Sequence, residues 1–268
     1  MAAGTIRVGV GGWTYEPWRG VFFPDGLAQA RELEYAASKL TTIEINGTYY
    51  RTQAPATFAK WSEAAPKGFV FAVKSLRFTT NRRVLAEAGE SVGKFLGSGL
   101  TELGDKLGPI LWQFAPTKKF DPDDFGAFLD LLPATQGGVA LRHAVEVRHD
   151  SFRDPTFVAL ARKHGVAIVY ANGGEYPEIA DITGGFVYAR LQGTKMENET
   201  GYTAAELDRW TAAARDWASG KAPDGLDYVD AATGAPAKPR EVFAYIISGA
   251  KVRNPAAAQA LIERLAGA

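Results

Sequence analysis

Eight short apolar runs, at residues 6–10, 42–45, 69–73, 109–114, 143–147, 166–170, 185–191 and 242–247, stand at spacings that leave room for a helix between most of them. Strand then helix, repeated, builds a parallel sheet. Several runs close on, or lead into, a charged or amide side chain, namely Asn46, Lys74, Gln113, Arg148 and Gln192. Apolar strands with polar ends suit a (β/α)8 barrel, whose strands fill a core and whose C-terminal strand ends carry the chemistry. The expected architecture is α/β, a single (β/α)8 TIM-like barrel of mostly parallel strands over residues 1–268. The chain of 268 residues is long enough, since such barrels take roughly 250.

Helix starts supply the alternation. Asp121-Pro122, Asp154-Pro155 and Asn254-Pro255 each offer an N-cap side chain followed by proline at the first helical position. Thr203 and Glu206 spell a capping box. Amphipathic spacing predicts helices within 27–40, 125–132, 157–163, 207–217 and 256–265. Residues 219–240, rich in Gly, Ala, Pro, Asp and Lys, predict a long surface excursion before the last strand. Gly9-Val-Gly-Gly12 reads as a tight turn; no GK[ST] and no helix start follow it, as a phosphate loop would need.

Composition removes whole reaction classes. Thirty basic and thirty acidic side chains cancel, so no global field attracts nucleic acid or an anionic membrane. Without cysteine there is no thiolate nucleophile and no sulfur-ligated zinc or iron–sulfur cluster. The first twelve residues hold one arginine, a short apolar stretch and a glycine-rich turn, which matches neither a signal peptide nor a membrane span. A soluble cytoplasmic protein with no membrane partner is expected.

Residues two apart on a strand face the same side. Glu44 therefore shares a face with Asn46, Glu146 with Arg148, and Arg190 with Gln192, while Lys74 follows Val70 and Ala72 on one parity. These polar sets are expected to look into the barrel mouth, where the inward charges sum to one net positive and favour a small anion. Arginine's planar fork grips carboxylate or phosphate in bidentate fashion, and lysine acts as a point charge. Glu146 and Glu44 are candidate acid/base groups. The structural alternative is that Glu146 pairs with Arg148 or Arg190, and Glu44 with Lys74, as buried ion pairs. Of three histidines, only His149 falls at the mouth, so a magnesium or manganese site from Glu44, Glu146 and His149 is the weaker reading; no metal or cofactor is expected. From the aromatic cluster Trp13, Tyr15, Trp18, Phe22, Phe23, Tyr49 and Tyr50, Trp13 and Tyr49 are the choices for ligand contact.

A set of ordered motifs then resembles the DUF72 (YecE-like) family. They are Val10-Gly-Gly-Trp13 with Trp18 and Phe22-Phe23-Pro24; Ile43-Glu-Ile-Asn46 with Thr48-Tyr49-Tyr50; Phe71-Ala-Val-Lys74; Leu107-Gly-Pro-Ile-Leu-Trp-Gln113 with Phe114-Ala-Pro116; Val145-Glu-Val-Arg-His149 with Ser151; and Tyr188-Ala-Arg-Leu191 with Gly193. The resemblance implies a (β/α)8-like barrel and a pocket at Glu44, Asn46, Lys74, Gln113, Glu146, Arg148, His149 and Arg190, and it supplies no reaction. Asn81 and Gln192 stand where the family pattern has histidines, and Ser248-Gly-Ala-Lys-Val-Arg-Asn254 replaces an asparagine-rich ending. Lys251 and Arg253 add cationic groups there.

The expected function is an enzyme, a hydrolase or lyase, acting on a small anionic or phosphorylated, sugar-like substrate by metal-independent acid/base chemistry. Glu146 would be the acid/base group and Arg148 with Arg190 the anion clamp. Lys74 would be an electrostatic or Schiff-base group, and Asn46 with Gln113 would orient the substrate. The alternatives are a metal-dependent phosphodiesterase or nucleic-acid-acting protein, and a ligand sensor without catalysis.

Overall fold

In the computed structural model, which describes residues 3–234 and 236–267, eight strands close into a barrel. They are β1 (Ile6–Gly11), β2 (Thr42–Ile45), β3 (Val70–Lys74), β4 (Leu107–Gln113), β5 (His143–Glu146), β6 (Ala167–Asn172), β7 (Phe186–Leu191) and β8 (Glu241–Ile246). Every neighbouring pair is parallel, and β1 closes the ring by pairing with both β2 and β8. Each strand lies within two residues of the apolar run that predicted it.

Helices follow most strands: α1 (Glu32–Lys39), α2 (Pro55–Ala64), α3 (Arg77–Thr80), α4 (Gly89–Leu96), α5 (Pro122–Asp130), α6 (Pro155–Lys163), α7 (Ala204–Ser219) and α8 (Asn254–Ala266). Asp121 and Asp154 cap α5 and α6 through side-chain oxygens, and Thr203 with Glu206 forms the capping box of α7. Asn254 does not cap. Its side chain turns inward instead, accepting from Thr194 Oγ1 at 2.8 Å and donating to the Ser248 carbonyl at 3.1 Å. Gly9 and Gly11 belong to β1, so the turn expected over Gly9-Val-Gly-Gly12 begins only at Gly12, with φ of 72°.

Strand parity separates two cores. Outward residues such as Val8, Ile43, Val73, Trp112 and Val145 pack against the helices. Inward residues such as Val70, Ala72, Leu111, Val169, Tyr188 and Tyr245 fill the barrel. No helix bridges β6 and β7; Ile179 and Ile182 of that connection are buried, and Trp210 and Trp217 of α7 reach the Tyr170 ring.

The excursion after α7 sits at the barrel base. Asp181, just before β7, accepts from the backbone N–H groups of Val229 at 2.7 Å and Asp230 at 2.9 Å, and Arg162 at the end of α6 pairs with Asp230. These anchors lie at the N-terminal ends of the strands, so the segment packs on the face opposite the mouth. Among the described residues no helix is long and apolar enough to cross a membrane.

Candidate functional site

Register sets the heights of the polar side chains. Gln113 pairs with Glu146 across β4 and β5, Lys74 with Leu111 across β3 and β4, and Arg190 with Tyr245 across β7 and β8. Glu44 stands one strand from Gly11. The carboxylates and cations therefore converge near the C-terminal ends of the strands, where barrel chemistry is built.

Arg190 lies at the centre and is buried. Its Nη2 and Nε donate to Glu44 Oε1 and Oε2 at 3.1 and 3.2 Å, and its Nη1 donates to Glu146 Oε2 at 2.5 Å. Glu146 also accepts from Gln113 Nε2 at 2.8 Å and from Arg148 Nε at 2.9 Å, and Glu44 from the Tyr188 hydroxyl at 2.6 Å. Buried ions survive only when paired and hydrogen-bonded, and both carboxylates meet that condition. The pairing differs from the expected structural alternative in one respect: Glu44 binds Arg190, whereas no salt bridge joins it to Lys74.

The charges move the protonation equilibria. Burial alone would raise the Glu146 carboxyl, but Arg190, Arg148, the Gln113 hydrogen bond and Lys74 outweigh it and hold the group at about 2. Burial lowers Lys74, and Arg190 lowers it further, against the opposite pull of Glu44 and Glu146; its ammonium titrates at about 8. Burial would lower Arg190 as well, but Glu146 and Glu44 override it and raise its affinity for the proton. Burial and the Glu44 charge raise the Tyr188 phenol.

Above this network opens a cavity of about 610 Å³, lined by Trp13, Asn46, Tyr49, Lys74, Gln113, Arg148, Arg190 and Lys251 among others. Eight of the twelve residues singled out from the sequence thus face one space. Glu44 and Glu146 lie beneath it, held by Arg190. The remaining two residues do not line it. His149 accepts from the Ser151 backbone N–H at 3.1 Å through Nδ1 and caps a short 3-10 turn. Gln192 is buried beside Gly174, and its Nε2 has no partner among the described residues.

Aromatic rings and backbone geometry shape the walls. The Lys74 ammonium lies 4.1 Å from the Tyr49 ring centroid, Lys251 lies 4.1 Å from that of Tyr15, and Arg148 lies 4.4 Å from that of Tyr176. Trp13 meets Trp61 edge to face. Trp18, Phe22 and Phe23 are core. A Cβ on Gly11 would come within 2.8 Å of Asn46 Nδ2, so glycine there leaves room for that amide. Ser248 lines the cavity at φ 62°, the one positive φ outside glycine among the described residues. Left-handed backbone costs a side-chain-bearing residue about 1–2 kcal/mol, and Asn254 holds the Ser248 carbonyl in place.

Sequence reasoning missed Tyr188, Ser248 and Asn254. The parity of 188, 190 and 192 could have found Tyr188. Nothing in the sequence marks Ser248, and Asn254 carries a capping signal that pointed elsewhere. Among the described residues no group of three or more His, Asp or Glu side chains is placed to hold a metal ion. Glu44, Glu146 and His149 do not assemble as a ligand set: Arg190 holds both carboxylates, and His149 turns its Nδ1 to Ser151.

A family model described as "Protein of unknown function DUF72" matches residues 7–268. The chain belongs to the DUF72 family. Its barrel is similar to that of a DUF72 family protein from Thermotoga maritima MSB8, at 21% identity and a TM-score of 0.69 over 96% of this chain and 97% of that one. A DUF72 family protein from Enterococcus faecalis V583 gives 17% identity and a TM-score of 0.70 over 99% of each chain. Outside the DUF72 proteins, a xylose isomerase-like TIM barrel/4-hydroxyphenylpyruvate dioxygenase fusion protein matches at 13% identity and a TM-score of 0.50, over 96% of this chain and 41% of that one. At these identities the likeness shows the barrel fold. No curated protein sequence matches the chain significantly.

Proposed function

We propose that this DUF72 protein is an enzyme that binds a small anionic, oxygen-rich molecule, phosphorylated or carboxylated and of sugar size, and transforms it without a metal. The observation that carries this reading is the charge of the mouth. Lys74, Arg148, Arg190 and Lys251 line one cavity that has no Asp or Glu among its described lining residues, and Glu44 and Glu146 beneath it are already held by Arg190. The terminal nitrogens of Arg148 and the Lys74 ammonium make no hydrogen bond to other described residues, so they are free to bind an anion. The clamp in this reading is Arg148 with Lys251, because Arg190 is committed to the two glutamates through Nε, Nη1 and Nη2. Trp13, Tyr49 and Tyr50 line the same cavity and suit an apolar edge of a sugar.

The reactive group in this reading is Lys74. A carboxylate held at about 2 is too weak a base and too strong an acid for proton transfer near neutral pH, so Glu146 serves to fix Arg148 and Arg190. An amine titrating at about 8 is matched to that range.

A thermal-shift comparison of wild type and Arg148→Gln tests the reading with glucose 6-phosphate, glyceraldehyde 3-phosphate, pyruvate and a short oligonucleotide, each with chelator or with magnesium. Stabilisation by a small anion in chelator, weakened in the variant, is the expected result. Stabilisation only by the oligonucleotide, or only with magnesium, would overturn it in favour of a phosphodiesterase. Binding without turnover of any bound anion would make the protein a sensor.

A further inference from the structure

We infer that Lys74 is a covalent nucleophile and that the anionic substrate carries an aldehyde or ketone, which Lys74 captures as a Schiff base. The inference rests on the anion-binding reading of the mouth and adds the functional group on which the chemistry runs.

Placement comes first. Lys74 is the last residue of β3, and its backbone is fixed on both sides: the Thr48 hydroxyl donates to its carbonyl at 2.6 Å, and the Ser75 N–H donates to the Leu111 carbonyl at 2.8 Å. The side chain is only 8% exposed, and that small exposure opens into the mouth cavity. Buried lysines are ordinarily neutralised by a carboxylate within salt-bridge reach. Among the described residues Lys74 has none, because the two nearest, Glu44 and Glu146, are taken by Arg190. A buried, unpaired amine flanked by guanidinium groups is the arrangement that makes a lysine nucleophilic at neutral pH. Its titration at about 8 follows from that surrounding, and it gives roughly a hundredfold larger share of free amine at pH 8 than an ordinary lysine has.

The step balances without a further reactant. The ammonium first gives a proton to solvent. The free Nζ lone pair then attacks the carbonyl carbon, the carbonyl oxygen takes up a proton, and the carbinolamine loses that oxygen as water. The product is a protonated C=N bond, so the net change is ammonium plus carbonyl to iminium plus water. The Tyr49 ring, which faces the Lys74 cation at 4.1 Å, faces the iminium charge in the product as well. Arg148 and Lys251 hold the phosphate or carboxylate of the same molecule, which turns attack on the carbonyl into an intramolecular event.

Reductive trapping tests this on the full chain. The protein is incubated at pH 8 with glyceraldehyde 3-phosphate, pyruvate or the neutral propionaldehyde, reduced with borohydride, and analysed by intact mass and peptide mapping. The expected result is one adduct, mapped to Lys74, formed faster with the anionic carbonyls, slowed in Arg148→Gln and absent in Lys74→Arg. No adduct at Lys74, or label spread over exposed lysines, overturns the inference. If the phosphorylated compound still stabilises the protein thermally in that case, the anion-binding reading stands without the covalent step. An adduct at Lys74 formed equally fast with propionaldehyde supports the nucleophile and overturns the clamp.

Discussion

Arg190 Nη1 lies 2.5 Å from Glu146 Oε2, and both side chains are buried. The same guanidinium holds Glu44, so one residue bridges two carboxylates inside the barrel. Arg190→Leu strands Glu44, which keeps only the Tyr188 hydroxyl among the described residues, and leaves Glu146 to Arg148 and Gln113. Removing one partner of a buried ion pair costs about 3–5 kcal/mol, and urea unfolding of the variant is expected to show a loss of that size. Adding Glu44→Gln and Glu146→Gln to Arg190→Leu recovers part of it. A loss within error of zero would mean the network is solvated.

Acid stability should carry a signature of Glu146. Its folded value, about 2, lies below the ordinary 4.5, so the unfolded chain binds the proton more readily. The stabilisation is complete above about 4.5 and is lost as pH falls through 2. By linkage it amounts to about 3 kcal/mol. Unfolding free energies measured from pH 5 to pH 2 should decline in wild type and decline less in Glu146→Gln.

Lys74 gives a stability slope of the same sign at alkaline pH, from a cost relieved and not from a gain. It titrates at about 8 in the fold against an ordinary 10.5, so between those values the unfolded chain binds more protons, and stability rises with pH. Below 8 the protein bears the full cost of the buried ammonium. Wild type minus Lys74→Met is expected to show a stability difference that moves in favour of wild type from pH 8 to pH 10.5.

Arg148 is only partly exposed and is aligned by Glu146 at 2.9 Å. If its terminal nitrogens hold the ligand's anionic group, Arg148→Gln removes charge-assisted hydrogen bonds worth about 1.5–3 kcal/mol. Calorimetric titration with glyceraldehyde 3-phosphate should show Kd weakened by roughly 10- to 100-fold. An unchanged Kd would place the anion elsewhere.

At the barrel base, Asp181 is the anchor of the excursion through Val229 and Asp230. Asp181→Ala removes two charge-assisted hydrogen bonds and is expected to cost about 2–3 kcal/mol. Limited trypsin digestion should then cut after Lys221 faster than in wild type, with the mouth's ligand affinity unchanged.

Strand position and facing were legible in the sequence because the period of two is local and the apolar runs are short and bounded. Parity alone brought Glu44, Glu146, Lys74, Arg148 and Arg190 to one end of the barrel. Partner choice was legible for Glu146, which pairs with Arg148 and Arg190, and not for Glu44, which takes Arg190 in place of Lys74. Which cation takes which carboxylate depends on the stagger between β2, β5 and β7, and that stagger lies in no single strand. Asn254 was misread for a related reason: a side chain that can cap a helix can equally hold a loop carbonyl, and only the packing of β8 against α8 decides. Helix α2 gave no cap signal, since Ala54 precedes it and Phe58 is its one buried side chain.

Ser248 holds a backbone shape that side chains resist, at the rim of the cavity. Sequences drifting under the sole requirement to fold would sample this position narrowly, favouring glycine, asparagine and aspartate, and would avoid valine and isoleucine. An invariant small or polar residue at the mouth would then record the shape of the chain, and a reader of the family's variation would be misled in taking it for a ligand contact.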